Sequence, residues 1–200
     1  MTDTNTIARA IAGNEAAQRA LYEAHYAAAF RLAYLLLQDT CDAEEVVQDA
    51  FVYIFRNLCR YDPERGSFWT WLRVALVSRC RNKRRRKQLA TVSLETLAAT
   101  GQAPRDPEPA NDPVGVMELR GAQRTMWEML QRVSAGARDA LVLRYYEELS
   151  YSEIAELLGC SSDAARARVA HGKVQLKRLL AEADEGAARE VGLIRPVEVR

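Results

Sequence analysis

Residues Ser150–Lys173, SYSEIAELLGCSSDAARARVAHGK, leave this chain few folds to choose from. Ser150 and Glu153 form the S-x-x-E pattern in which each side chain satisfies the other residue's backbone N–H and so starts a helix. Ile154, Leu157 and Leu158 give that helix one apolar face. Ala155 and Gly159 sit where two helices cross closely and the chain turns sharply, which a small residue and a glycine allow. Ser161 is a good N-cap for a second helix, on which Ala165, Val169, Leu176 and Leu179 face inward. Arg166, Arg168, His171 and Lys173 are left on its outer surfaces, within reach of bases or phosphates. The pattern predicts a helix–turn–helix that enters a DNA groove. The plainer alternative is a helical hairpin in an unrelated bundle, with its basic residues merely solvated.

The rest of the chain reads as further helices. Hydrophobic residues make up 48% of the 200 and charged residues 28%, enough apolar material to bury a core. The formal net charge is only +1, so any nucleic-acid signal has to be local. Cys41, Cys59, Cys80 and Cys160 form no C-x-x-C pair, and there are two histidines. That spacing argues against a structural zinc site and a disulfide framework, and incidental thiols outweigh a redox role for Cys59 or Cys80. The first residues lack the basic and apolar regions of a signal peptide, and no apolar run approaches a membrane span. The expectation is a cytoplasmic protein that does not insert into membranes.

Helical periodicity dominates and no sustained period-two alternation is present, which predicts an all-α fold. A first domain is expected over residues 7–87. Glu15–Leu37 carries Ala16, Ala20, Leu21, Ala24, Ala28, Leu32 and Leu35 at helical spacing. DAEEVVQDAFVYIFRNL follows, opened by an expected capping box of Asp42 with Glu45, and Val47, Ala50, Phe51, Ile54 and Leu58 make its inward stripe. The turn-rich RYDPERGS stops it, and Ser67 caps a third helix. Phe68, Trp71, Leu72, Ala75 and Leu76 pack inward there, and from Arg79 the stripe gives way to RCRNKRRRK, in which seven of nine residues are cationic. This end must project into water or onto a polyanion.

Residues 88–112 read as a linker, weakly periodic and then rich in Pro and Asp, able to span roughly 80 Å if fully extended. A second domain is expected over residues 113–183, with helices near Val114–Val133, Gly136–Tyr146, Ser152–Leu158 and Ser162–Ala183. Residues 184–200 read as a frayed tail. Two tethered modules, one ending in a basic helix and one in a helix–turn–helix, can each hold part of one DNA site and gain affinity through effective concentration.

Three segments, AEEVVQDAFVYIFRNL, FWTWLRVALVSRCRNKRR and LSYSEIAELLGCSSDAARARV, resemble in that order the two conserved regions of bacterial sigma-70 family RNA polymerase sigma factors. Over roughly Asn14–Leu180 the chain is similar to the short extracytoplasmic-function (ECF) group, which consists of these two domains and a linker. The resemblance implies that Glu45, Gln48, Asp49, Phe51 and Val52 dock on the largest subunit of core RNA polymerase. Read from the residues alone, Glu44, Glu45 and Asp49 suggest either a metal cluster, which no histidine or further carboxylate completes, or a solvated face near a helix N-terminus. The resemblance also implies that Tyr61, Trp69, Arg73, Arg79, Asn82, Lys83, Arg84, Arg85 and Arg86 take the melted non-template strand at the minus-ten element. That role suits the chemistry, since aromatic rings stack on unpaired bases and cations follow a backbone. Phe68 and Trp71 fall on the inward stripe and read as core, whereas Trp69 fits either role.

In the second domain the resemblance implies that Ser162, Arg166, Arg168, His171 and Lys173 read duplex promoter DNA at the minus-thirty-five element. The chain departs from the family's usual residues at Ser78 and Asn82, where Asn and Asp are frequent. It departs again at Ala164 and Ala165, which stand for a common Thr–Val pair. The segment LQRVSAGARDALVLRYY lacks a usual proline. Implied partners are core polymerase, promoter DNA and an anti-sigma factor, the last without a readable mark in the sequence. No cofactor, metal or enzymatic activity is implied, because magnesium and phosphodiester chemistry belong to the polymerase. A stand-alone dimeric helix–turn–helix regulator is the main rival; it has no use for the Gln48 surface. An interaction protein that mimics a sigma domain would not need the basic helix. An enzyme is the least favoured class, since no nucleophile–base pair or phosphate loop is present.

Overall fold

The computed structural model describes residues 4–98 and 128–190, and every regular element among them is helical. The chain divides into two compact units, Met1–Val114 and Gly115–Arg200. No described helix is long and apolar enough to cross a membrane.

The first unit is built on α1 (Thr4–Ile11), α2 (Glu15–Leu37), α3 (Thr40–Arg56) and α4 (Phe68–Ala98). Asn14 starts α2 by accepting the Ala17 N–H at 2.9 Å. Only Gln38 and Asp39 separate α2 from α3, and Gln38 takes a left-handed conformation (φ 61°) to make that turn. Asp39, not Asp42, caps α3, its carboxylate accepting the Asp42 N–H at 2.8 Å. The expected Asp42–Glu45 capping box does not open α3; a simple cap by Asp39, three residues earlier, does so instead. Ser67 caps α4 as the sequence suggests, accepting from Thr70 N–H at 3.1 Å.

Helices α2, α3 and α4 pack on one another, with α1 against α2. Their shared core holds Leu21, Leu32, Leu36, Val47, Ile54, Phe68, Leu72 and Leu76, all at 2% exposure or less. Burying each such side chain contributes about 1.5–3 kcal/mol. The α3 stripe is as expected from Val47 to Ile54, and Leu58 is buried just beyond the end of the helix, in a 3-10 turn. The α2 stripe is not: Ala16, Ala20 and Ala24 are exposed, Ala28 and Leu35 are half-buried, and Ala17, Ala29 and Ala33 go inside. Alanine is small enough to suit either face, so an alanine-rich helix does not mark its own buried side.

The second unit contains a helical segment at 128–132, then α5 (Ala135–Tyr145), α6 (Tyr151–Leu158) and α7 (Ser162–Glu190). Helix α5 is buried along Ala137–Leu143, Arg138 and Asp139 included. It packs on α7 and α6, and α6 packs on α7. Ala165, Val169 and Leu179 face inward as expected, while Leu176 is half-buried. Gly172, unmarked by any sequence pattern, is buried where α7 crosses α5. A Cβ there would stand 2.6 Å from Leu141 Cδ1 and 2.8 Å from its Cγ. The absent side chain is what lets the two helices approach.

Two helices outrun their expected ends. α4 continues through Ala98, so the first part of the expected linker is helical, and α7 continues through Glu190 into the expected tail. The rest of that linker, most of the expected Val114–Val133 helix and the tail from residue 191 lie outside the described residues.

Gly172→Ala should destabilise the second unit by about 1–3 kcal/mol through overpacking against Leu141. Urea unfolding monitored on the full chain checks this, and an unchanged midpoint would exclude the close approach.

Candidate nucleic-acid interface

The seam between α3 and α4 divides their polar residues into those that face each other and those that face outward. Lys83 hydrogen-bonds to Glu45 and lies 3.5 Å from Asp42. Lys87 pairs with Asp42 and lies 3.5 Å from Asp39. The hydrogen bond to Glu45 raises the pKa of Lys83. Partial burial works against charge on Lys87, yet its bonds to Asp42 and Asp39 outweigh that and raise its pKa too. The Asp42 carboxylate is only 11% exposed, so it depends on these two ammonium groups for compensation.

Lys83, expected among the strand-gripping cations, is in this lattice engaged by the carboxylates of α3. Asn82, Arg85 and Arg86 are exposed, and Arg84 is half-buried. Arg79 donates to the Ala75 carbonyl at 3.3 Å and lies over the Tyr53 ring at 4.5 Å. Glu45, Asp49, Ser78, Arg79, Asn82 and Arg86 line an open groove of about 270 Å³ between the two helices. On α3, Glu45, Gln48, Asp49 and Val52 are exposed and share one face. Phe51 does not join them. It is 2% exposed, and its ring packs 4.7 Å from Tyr22 and 5.8 Å from Phe55. Its place on the core stripe, legible from its spacing to Val47 and Ile54, removes it from any docking surface.

The loop before α4 is closed by an aromatic cluster. Tyr61 donates its hydroxyl to the Gly66 carbonyl at 3.1 Å, and its ring lies 6.2 Å from Phe68 and 5.8 Å from Trp71. Tyr61, Trp69 and Arg73 are half-buried rather than fully displayed. Trp69 stacks on His25 of α2, 6.2 Å away with planes 12° apart, and His25 also lies 5.0 Å from Phe68. His25 carries no functional motif in the sequence. Its only signal was a position one helical turn after the buried Leu21. Burial lowers the pKa of His25, favouring the neutral ring that stacks on Trp69.

In the second unit the helix–turn–helix is built as its sequence suggests. Ser150 accepts the Glu153 N–H at 3.3 Å while Glu153 accepts the Ser150 N–H at 2.8 Å. Gly159 ends α6 in the left-handed region (φ 59°), and Ser161 caps α7 by accepting Ala164 N–H at 3.1 Å. The five expected contact residues do not form one patch. Ser162, Arg166 and Lys173, spaced by four and seven residues, lie along one flank of α7. Arg168 and His171 lie on the other flank. His171 bonds to Gln175 at 3.0 Å, and Gln175 accepts the Ser134 N–H at 3.2 Å, tying that flank to the start of α5. Between the flanks, Asp163, Ala167, Ala170 and Val174 are exposed.

Three residues that the sequence reading passed over support the first flank. The Arg166 guanidinium lies over the Tyr151 ring at 5.2 Å, and Arg144 lies over the same ring at 5.0 Å. Lys173 lies over Tyr145 at 5.1 Å, and its hydrogen bond to that phenol raises its pKa. The RYY run and the Tyr beside the capping serine were visible, but pairing them with α7 required the fold.

Among the described residues no group of three or more His, Cys, Asp or Glu side chains is placed to hold a metal. The family model for sigma-70 region 2 matches residues 21–90, and that for sigma-70 region 4 matches residues 123–176. Between them they take in more than half of the chain. The ECF RNA polymerase sigma factor SigK of Mycolicibacterium vanbaalenii is 26% identical over 179 residues, 89% of each chain. Among solved structures, CnrH in complex with the cytosolic domain of CnrY aligns with a TM-score of 0.58 at 23% identity, over 91% of this chain and 99% of that one. The sigma factor RpoE of Bartonella quintana, in complex with the anti-sigma factor NepR, aligns with a TM-score of 0.57 at 21% identity, over 82% and 96%. These two likenesses are of fold.

Two outcomes follow from the first unit. Because His25 is held neutral, the unfolded chain takes up a proton first as the pH falls. Stability should therefore decline as pH drops through the ordinary histidine range toward the lowered folded value. His25→Gln should flatten that decline between about pH 7 and pH 5 in urea midpoints, relative to the parent chain. Asp42→Asn should cost about 1–2 kcal/mol, less at high salt, by removing the shared partner of Lys83 and Lys87. A full loss that persists unchanged in molar salt would assign Asp42 a non-ionic role.

Proposed function

The chain belongs to the sigma-70 family of RNA polymerase sigma factors, in its ECF group, and from that premise we propose how its residues share the work. As a sigma factor it directs core RNA polymerase to specific promoters at transcription initiation. The observation that carries this is the succession of regions 2 and 4 along one chain, each matched by its own family model. A stand-alone dimeric regulator needs no region 2, so that reading is not favoured.

In the proposal, residues 7–87 form the polymerase-docking and minus-ten domain, and residues 113–183 the minus-thirty-five domain, with 88–112 between them. Glu45, Gln48, Asp49 and Val52 dock on the polymerase, and Phe51 supports that face from within the core. Tyr61, Trp69, Arg73, Arg79 and Asn82 take the melted non-template strand, through ring stacking and hydrogen bonds. Arg84, Arg85 and Arg86 hold phosphates, with Lys83 serving the α3 lattice in place of the DNA. Ser162, Arg166 and Lys173 meet bases and one phosphate wall of the major groove, while Arg168 and His171 face the other wall. The protein works in the cytoplasm and is not itself an enzyme; phosphodiester chemistry belongs to the polymerase. The proposal includes an anti-sigma protein as partner, supported by the complex of RpoE, a sigma factor of the same fold, with NepR.

Run-off transcription with reconstituted holoenzyme tests the reading: failure to initiate at any promoter of the source genome sinks it. Within that assay, Arg166→Ala should cost about 1–3 kcal/mol on the preferred promoter and relax preference at one base pair. Neutralising Arg84–Arg86 should instead weaken binding to all promoters alike and reduce the salt slope by about 0.7–0.9 for each phosphate no longer neutralised. Equal effects of both variants on every promoter would remove this division of labour.

A further inference from the structure

We propose that Tyr151 is a positioning residue for promoter specificity: with Arg144 it pre-sets the Arg166 guanidinium for base reading. The inference rests on the assignment of Arg166 as a base reader and adds to it the group that holds that arginine before DNA arrives.

The chain of contacts begins in the backbone. Leu149, immediately before the helix–turn–helix, is buried, and its carbonyl accepts a hydrogen bond from Arg144 Nη1 at 2.7 Å. Arg144 is thereby anchored at the end of α5, half-buried, with its guanidinium carbon 5.0 Å from the centre of the Tyr151 ring. Tyr151 is the first residue of α6, directly after the capping serine whose reciprocal bonds with Glu153 fix the local backbone. The phenol is therefore placed by its own helix start and by Arg144 before α7 contributes anything. Arg166, exposed and one turn into α7, then rests on the same ring at 5.2 Å. Each of the three helices supplies one member of this stack.

The chemistry of a guanidinium makes the contact useful. Its flat face is attracted to the negative face of an aromatic ring, while its N–H donors lie in its own plane and point outward. A guanidinium held over Tyr151 by its face would keep its donor edge, the part that pairs bidentately with guanine O6 and N7. A free arginine spreads over many rotamers and must lose them on binding. One already resting on a ring loses less, so more of the binding energy is available for discrimination. Two like charges lie close to that ring, whose attraction for both offsets their mutual repulsion, and removing the ring leaves the repulsion unopposed.

The test uses reconstituted holoenzyme and a set of promoter duplexes, each with one base pair of the minus-thirty-five element replaced. Arg166→Ala first identifies the position whose replacement no longer matters. At that position Tyr151→Leu should lose about 2- to 5-fold in discrimination between the preferred and replaced base pair. Tyr151→Phe, which keeps the ring and loses the hydroxyl, should retain it. The double variant should discriminate no less than Arg166→Ala alone, because both changes remove one interaction. The ratio is taken within one protein preparation, so a partly unfolded fraction cancels. Full discrimination by Tyr151→Leu would overturn the positioning role while leaving Arg166 as reader. Loss of discrimination in Tyr151→Phe as well would assign the hydroxyl a direct base contact, and an equal loss on all promoters would assign it a phosphate contact; either overturns the positioning role. No shifted position in Arg166→Ala would instead remove the base-reader assignment on which the proposal stands.

Discussion

Each working helix here is held by an apolar stripe covering roughly a third of its circumference, and whatever it offers a partner has to fit on the remainder. On α3 that stripe is Val47, Ala50, Phe51 and Ile54, leaving Glu45, Gln48, Asp49 and Val52 outside. On α7 it is Ala165, Val169, Gly172 and Leu179, which splits the basic residues onto two flanks. Ser162, Arg166 and Lys173 keep the four- and seven-residue spacing that holds one flank, whereas Arg168 and His171 fall out of that register, since each step turns the helix by about 100°. The division into flanks suits a major groove, which has two walls. The constraint also explains why Phe51 cannot both fill the core and meet a partner.

The same constraint shapes the electrostatics. The run RCRNKRRRK continues a helix whose earlier residues are packed against α3, so some of its cations must keep facing α3. Those positions meet Asp39, Asp42 and Glu45, and the seam becomes a lattice of ion pairs rather than a repulsive basic ridge. Exposed pairs contribute little, but Asp42 is mostly buried and its two ammonium partners are what make that burial tolerable. The basic helix therefore divides between holding its own domain together and reaching outward. A charge count on the sequence overstates how many of these cations face outward.

Much of this was legible in the residues. The capping box at Ser150, the left-handed Gly159, the Ser161 and Ser67 caps and the α3 stripe all rest on local interactions spanning three or four residues, and these survive folding unchanged. What failed was information that only tertiary contact supplies. The buried side of α2 was obscured by alanines that fit either environment. Asp42 looked like a cap because Asp39 was overlooked one turn earlier, and its real role depends on two lysines some forty residues away. Gly172 sat unremarked between His171 and Lys173, since a glycine inside a helix announces nothing until a second helix lies on it. His25 was passed over for the same reason, its meaning residing in Trp69.

The small residues of α7 also bear on its function. Ala165 is fully buried, and Gly172 has no side chain at all, so at Gly172 α7 meets α5 closely against Leu141 and Ala137. Arg144 is carried by α5, Tyr151 by α6 and Arg166 by α7, and the distances among them are fixed by how those helices pack. Protein interiors are close-packed, so a methyl added at the crossing cannot be absorbed locally and moves one helix against the other. A shift of an ångström there is comparable to the tolerance of a cation–ring contact or a bidentate hydrogen bond. The residues that give this unit its core thus also set the aim of the arginine on its surface.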